Sequence, residues 1–379
     1  MQPTDDLSRA VTATLPGRLD GDGDGGPRAH RTTTATDTSR ADRDGGDGSG
    51  GGNAGFPGHL VAAADLDGPQ VEELLRQAAR LREMPARQAR TLLDGAIVAT
   101  LFFQPSTRTR LGFEAAALRL GARVTGFADP STSRSVDYIG ESLEDTARVV
   151  SELSDALVLR HYVTGAARRA AQASLCPVIN GGDGSNEHPT QALSDIWTMT
   201  RRLGGLAGTV VALVGDPGTR VLRSLVHLLA RMDLKRLLFL VPPAAPLDMT
   251  GLDAVTHTTL PADLAVLLHD SGTPYEFRSD VSELLAEADV VEMMPVDVPS
   301  LESHPAALSS HVYVTPERYR ITAAKIRAVG SKALVLHPGP RKDELHPDVD
   351  DTPGGLYFEQ VKDSLYLRMA VLTQWVAPR

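Results

Sequence analysis

The chain has 379 residues, a length that suits two domains of ordinary size, and a net charge of −10. That acidic balance argues against nucleic acid or an anionic membrane as the main partner. The single cysteine, Cys176, excludes an internal disulfide framework and suits a reducing, cytoplasmic setting. No run of about 18 apolar residues offers a membrane span. The first residues lack the basic and apolar regions of a signal peptide, so none is expected.

Residues 1 to 55 are rich in Gly, Asp, Thr and Arg and nearly free of large apolar side chains. Such a segment buries too little surface to offset its ordering entropy, and a disordered tail is expected. Asp20, Asp22 and Asp24 imitate the start of a calcium loop, but Arg31 stands where the closing glutamate belongs. The folded part is expected to begin near Phe56. Residues 70–83 read as a helix with Val71, Leu74, Leu75, Ala78 and Leu81 on one side. An apolar run, residues 96–103, reads as a buried strand that Pro105 stops.

Gln104 to Glu114, Q-P-S-T-R-T-R-L-G-F-E, follows that strand. Ser106 is a good N-cap, and Leu111, Phe113, Leu118 and Leu120 predict a helix with one apolar side. Ser106, Thr107, Arg108 and Thr109 then sit at its first turn. Free backbone N–H groups, the positive end of the dipole, hydroxyls and a guanidinium make that a phosphate site. Arginine opposes the dipole at a helix start, so Arg108 and Arg110 together also point to an anion.

Further on, residues 123–127 read as a strand, 129–139 as a polar loop, 141–153 as a helix and 156–159 as a strand ending at Arg160 and His161. Residues 177–180 form another strand. The glycine-rich loop 181–191 follows, then a helix over 192–202, with Pro189 fit for a first helical position. The second half repeats the pattern. Strands are predicted at 209–216, 237–241, 289–291 and 333–336, and helices at 220–232, 281–286 and 356–376. Alternating strands and helices predict α/β architecture with two doubly wound parallel sheets and a boundary near residues 198–208. Ligands in such sheets sit at the carboxyl ends of the strands. Ser106 to Thr109, Arg160, His188, Gln191, Arg220 and Arg341 all fall at such ends. Cations and polar donors without a nucleophilic serine or a metal cluster suggest binding and polarisation of an anionic substrate.

Pro105-Ser106-Thr107-Arg108-Thr109-Arg110, Asp183-Gly184-Ser185-Asn186 with His188-Pro189-Thr190-Gln191, and His337-Pro338-Gly339-Pro340-Arg341 resemble the aspartate/ornithine carbamoyltransferase family. The match runs in order over about residues 58 to 378 and leans to the aspartate branch. The resemblance implies a carbamoyl-phosphate domain over 56–200, with the terminal helix 355–379 packing back on it, and an acceptor domain over 201–354. It implies transfer of a carbamoyl group from carbamoyl phosphate to an amine, with no cofactor and no metal. Ser106, Thr107, Arg108 and Thr109 would hold the phosphate. Arg160, His188 and Thr109 would polarise the carbamoyl oxygen, and Gln191 would hold the carbamoyl nitrogen with the Gly339 carbonyl. A homotrimer with shared sites is also implied. In it a loop of a neighbouring subunit supplies a serine and a lysine; here Arg134 is expected to replace that lysine.

The acceptor side departs from the family pattern. Arg220 matches an arginine that binds an acceptor carboxylate. A second arginine is expected after strand 289–291, where this chain has Glu292-Met293-Met294-Pro295-Val296-Asp297. Gln104 replaces an acid, and Gly339 replaces a leucine on the pocket wall beside Pro340. Glu292, Pro295, Asp297 and Gly339 therefore predict an acceptor other than aspartate, cationic or larger, such as a diamino acid or a peptide amine. The alternatives are a genuine aspartate carbamoyltransferase, and a non-catalytic binding protein that kept the fold. A nucleotide-binding oxidoreductase has weak support, because Gly215-x-x-Gly218 lacks a full dinucleotide fingerprint.

Overall fold

The computed structural model describes residues 58–132, 140–242, 260–296 and 315–376. The predicted tail, the calcium-loop imitation, Arg134 and Asp297 lie outside the described residues. Two parallel sheets organise the rest. In the first, β1 (Ile97–Phe102), β2 (Arg123–Phe127), β3 (Ala156–His161) and β4 (Val178–Asp183) stand in the order β2-β1-β3-β4. In the second, β5 (Val210–Val214), β6 (Arg236–Leu240), β7 (Tyr275–Phe277), β8 (Val290–Met293) and β9 (Leu334–Leu336) run β7-β6-β5-β8-β9. Strand order reverses around β1 in one sheet and around β5 in the other, and such reversals open a crevice at the strands' carboxyl ends.

The helices are α1 (Gly68–Glu83), α2 (Ala86–Ala89), α3 (Thr107–Leu120), α4 (Leu143–Glu152), α5 (Ala166–Ala173), α6 (Pro189–Leu203), α7 (Arg220–Leu229), α8 (Ala262–Asp270), α9 (Val281–Glu287), α10 (Ala323–Ala328) and α11 (Tyr357–Trp375). Local chemistry sets several of their ends. Asp67 accepts from Gln70 N at 2.8 Å while Gln70 Oε1 accepts from Asp67 N at 2.9 Å, a reciprocal cap on α1. Ser142 caps α4, accepting from Asp145 N at 3.0 Å. Pro189 opens α6 and Gly204, at φ 80°, closes it.

Two expectations need correction. On α3 the buried side is Phe113, Ala116, Ala117 and Leu120, whereas Leu111 and Leu118 are 54% and 60% exposed. Those two leucines lie seven residues apart, two turns along one outer face. β4 does not end at Asn180 but continues buried to Asp183. Its polar residues satisfy one another: Asn180 Nδ2 donates to Asp183 Oδ1 at 2.9 Å and to Val61 O at 2.8 Å, and Gly182 N donates to Asn180 Oδ1 at 2.7 Å. The elements α2, α5, α8, α10 and β7 carry no prediction. α5 is A-A-R-R-A-A-Q-A, whose buried side is alanine alone, and β7 has three residues.

The terminal helix α11 packs on α1, α3 and α6. Leu367, Ala370, Val371 and Leu372 are fully buried there. Asp363, buried on the same helix, pairs with Arg82 at 2.5 Å and with Arg201 at 2.9 Å. Among the described residues no helix is long and apolar enough to cross a membrane.

Candidate active site

A cleft of about 670 Å³ opens where the carboxyl ends of both sheets converge. Residues 105–109 enter it after β1, Arg160 at the end of β3, and His188 and Gln191 after β4. The second sheet supplies Thr219, Arg220 and Val221 after β5, Met294 and Pro295 after β8, and Pro338, Gly339 and Pro340 after β9. Most of the sequence-predicted residues thus meet in one place, from segments more than two hundred residues apart.

Ser106 is the N-cap of α3, in extended conformation, yet its side chain makes no capping hydrogen bond. That leaves a hydroxyl and the first N–H groups of the helix directed to the cleft. Arg108 reaches across it, its Nε donating to Pro338 O at 3.1 Å. Gly339, at φ 73°, makes this crossing feasible, because an added Cβ would lie 2.5 Å from the Arg108 guanidinium carbon. The Arg108 guanidinium thus lies in the space that a side chain at Gly339 would occupy.

Arg160 is 8% exposed and donates from Nη1 to Gly181 O at 2.9 Å, while its Nε has no partner. Burial, then the charges of Arg220 and Arg108, push its pKa down to about 9. His188 is the N-cap of α6 and is buried. Burial, and the guanidiniums of Arg160, Arg220 and Arg368, hold its imidazole well below the usual histidine value, so it is neutral at pH 7. Its Nε2 lies 3.3 Å from Thr109 Oγ1. Gln191 donates from Nε2 to Asp195 Oδ1 at 2.7 Å, one helical turn on. With the amide nitrogen so committed, the amide oxygen is the end able to accept from a ligand N–H. Arg220 donates to Gly184 O at 2.8 Å and to Gln104 Oε1 at 3.1 Å, so Gln104 stands directly behind an arginine of the cleft.

Three sequence-predicted residues stand elsewhere. Arg341 points away, forming a bidentate pair with Asp350 at 2.6 and 2.7 Å and lying 4.5 Å over the Tyr357 ring. Arg110 pairs with Glu114 at 2.7 Å, an i,i+4 contact that accounts for its place on the helix without an anion. Glu292 is wholly buried and does not line the cleft. It sits on β8 between Leu213 and Leu336 of the flanking strands, one residue too early to reach the strand's end. Burial pushes its carboxyl well above the usual range, and its place behind the cleft lining keeps it from contacting an acceptor. Met294 and Pro295 present the cleft wall instead. Sequence reading passed over Asp195, although its i,i+4 spacing from Gln191 marks it as a neighbour.

The cleft's electrostatics are one-sided. Arg108, Arg160 and Arg220 line it, and its described lining contains no Asp or Glu. Among the described residues no cluster of His, Cys, Asp and Glu is arranged to hold a metal. The arrangement concentrates positive charge and neutral donors on a small polar ligand, as polarisation of a carbonyl beside a phosphate requires.

Two family descriptions match the chain in succession. Residues 58–201 match the aspartate/ornithine carbamoyltransferase, carbamoyl-P binding domain, and residues 207–375 the Asp/Orn binding domain. The aspartate carbamoyltransferase catalytic subunit of Vibrio cholerae is 36% identical over 322 residues, covering 84% of this chain and 97% of the relative. That of Archaeoglobus fulgidus is 36% identical over 321 residues, covering 83% and 98%. Among solved structures, the catalytic subunit of M. jannaschii aspartate transcarbamoylase superposes with a TM-score of 0.71 at 34% identity, over 84% of this chain and 98% of that one. Aspartate transcarbamoylase from Trypanosoma cruzi, in complex with carbamoyl phosphate and aspartate, gives 0.71 at 31% identity, over 85% and 96%. The chain belongs to the aspartate/ornithine carbamoyltransferase family, on its aspartate branch. It is a carbamoyltransferase, and its donor is carbamoyl phosphate.

Proposed function

We propose that the acceptor is the amine of L-aspartate. The observation that carries this reading is the charge of the cleft: three guanidiniums and no carboxylate among its described lining residues. A phosphate group brings roughly two negative charges. Aspartate adds two carboxylates, whereas a cationic acceptor would meet uncompensated repulsion. Of the two acidic residues that favour a cationic acceptor, Glu292 is buried away from the cleft and Asp297 lies outside the described residues. The similarity to aspartate carbamoyltransferases supports the same choice.

In this reading Ser106, Thr107, Arg108 and Thr109 hold the phosphate at the start of α3. Arg160, Thr109 and neutral His188 donate to the carbamoyl oxygen, and the Gln191 amide oxygen accepts from the carbamoyl nitrogen. Arg220 meets an acceptor carboxylate. The uncharged amine attacks the carbonyl carbon and forms the C–N bond, and negative charge gathers on the carbonyl oxygen. The C–O bond to phosphate then breaks, and the departing phosphate takes the amine proton. A homotrimer, with Arg134 of a neighbouring subunit reaching the phosphate, belongs to the same proposal. Light scattering tests the assembly, and an unchanged KM for carbamoyl phosphate in Arg134→Ala would remove that residue from it.

One observation favours a second reading. Pro295 lines the cleft where a second acceptor arginine is expected, so Arg220 is the one guanidinium among the described lining residues that the second sheet's segments supply. An acceptor with a single carboxylate would suit that wall. Competing L-aspartate against neutral and basic amino acids, with carbamoylated products resolved by mass spectrometry, separates the two. Dominant carbamoyl-aspartate supports the first reading, and preference for a monocarboxylate amine overturns it.

A further inference from the structure

Immediately after β9 stands a buried histidine that does not line the cleft and that the reaction as drawn does not use. The side chains of His337 and Glu344 are both fully buried, with His337 Nε2 2.9 Å from Glu344 Oε1. The same carboxylate oxygen accepts from Lys342 N at 2.8 Å. On the other side of the ring, Gly339 N donates to His337 Nδ1 at 2.8 Å. A ring nitrogen that accepts carries no proton, so the neutral ring bears its proton on Nε2 and donates it to Glu344. Gln360 on α11 holds the backbone beneath, its Oε1 accepting from His337 N at 2.9 Å.

The Gly339 N–H and the Pro338 carbonyl belong to one planar peptide unit, so fixing one group fixes the other. One end of this unit is held by the His337 ring, and the other accepts from Arg108 Nε at 3.1 Å. We propose that His337 and Glu344 are positioning residues for the donor's phosphate: Glu344 sets the His337 tautomer, the ring sets the Pro338–Gly339 peptide, and the Pro338 carbonyl aims Arg108. Held at Nε, Arg108 keeps the terminal nitrogens of its fork for the anion. A proton on Nδ1 would set one N–H against another and release the peptide. The inference rests on Arg108 holding the phosphate of carbamoyl phosphate.

The surroundings agree. Burial holds His337 below the usual histidine value; the hydrogen bond and charge of Glu344 act the other way, and the charges of Arg108 and Arg341 add to burial. The ring is therefore neutral at pH 7. Burial raises Glu344, but the hydrogen bonds from His337 and Lys342 N outweigh it and hold the carboxylate below its usual range, as an acceptor. From α11 the Tyr357 ring packs edge-on against His337, with centroids 5.9 Å apart.

The tests use the full chain. Nitrogen-15 spectra of histidine-labelled protein, with the His337 signals identified by their loss in His337→Asn, should show Nε2 protonated and Nδ1 bare at pH 7. Titration calorimetry with inorganic phosphate reads the aim of Arg108. Glu344→Leu leaves Nε2–H without an acceptor, and His337→Leu leaves Gly339 N–H without one; each should raise the phosphate Kd about tenfold, roughly the worth of one hydrogen bond. Glu344→Gln keeps the oxygen that Lys342 N holds in place, and His337→Asn returns an amide oxygen close to the place of Nδ1, so each should stay within about threefold of wild type. In an Arg108→Ala background Glu344→Leu should add less than about twofold, because its effect runs through Arg108. Glu344→Ser takes its place in this cycle if the leucine variant does not fold. A proton on Nδ1 in the wild type, an unchanged phosphate Kd in the disruptive variants, or equal losses with and without Arg108 overturns the proposal. If Arg108→Ala itself leaves the phosphate Kd unchanged, the reading of Arg108 as a phosphate ligand fails, and the proposal fails with it.

Discussion

At the scale of single residues, the site is a contest between anion binding and the cost of crowding like charges. Arg108, Arg160 and Arg220 share one cleft, and Arg160 shows the strain in a pKa lowered to about 9. Each is tolerated because a ligand's negative charge offsets all of them. Arg108→Ala should lower kcat by about 10²–10³-fold, the loss typical of one transition-state donor, and should weaken phosphate binding in calorimetry. Gln104 holds Arg220 with a neutral oxygen. Gln104→Glu should pair Arg220 with a charge and raise the KM for the acceptor about tenfold, with little change for carbamoyl phosphate. An unchanged acceptor KM would mean that Arg220 does not meet the acceptor. Titration has a definite sign at His188. Its folded pKa is depressed, so the unfolded chain binds its proton first, and this group's contribution to stability is lost as pH falls below about 6.5. Asp195 is raised to about 7, so its contribution is present at acid pH and declines as pH rises through about 4 to 7, and Glu292 is raised in the same direction. Urea melts of Glu292→Gln should show a shallower decline across that window than the wild type.

At the scale of elements, what was legible in the sequence was what is contiguous. The start of α3 could be read because a strand, a proline, an N-cap and two arginine-flanked threonines follow one another, and each acts locally. The outcome at Glu292 was not legible. A strand buried on both faces shows no polar alternation, so sequence alone does not say which side chains face the cleft and which face the core. Arg341 and Arg110 misled for a related reason: their partners, Asp350 and Glu114, compete for the guanidinium, and only coordinates reveal the winner. The same limit appears on α3, where four leucine and phenylalanine positions were read as one side and became two. Phe113→Ala should cost about 3–5 kcal/mol in a denaturant melt, as loss of a buried ring does. Leu118→Ser should cost about 0.5 kcal/mol or less if that exposed face is free, and a larger loss in Leu118→Ser would show it covered in solution.

At the scale of the whole molecule, two parallel sheets place their strand ends on one cleft, and the long terminal helix α11 lies across the helices that carry the first half of the site. The donor half of the reaction follows from this layout with few residues. For the acceptor half, Glu292, Pro295, Asp297 and Gly339 predict a cationic or larger acceptor. Of those four grounds, Glu292 is buried away from the cleft with its carboxyl raised, the Arg108 guanidinium lies beside Gly339, and Asp297 lies outside the described residues. Pro295 and Gly339 keep their places on the wall. The measurement that reaches the central claim most directly is product formation from carbamoyl phosphate and L-aspartate by the purified full chain. The account predicts N-carbamoyl-L-aspartate with saturation at millimolar aspartate and one phosphate released per product. Carbamoylation of another amine, with aspartate inert under the same conditions, would contradict it.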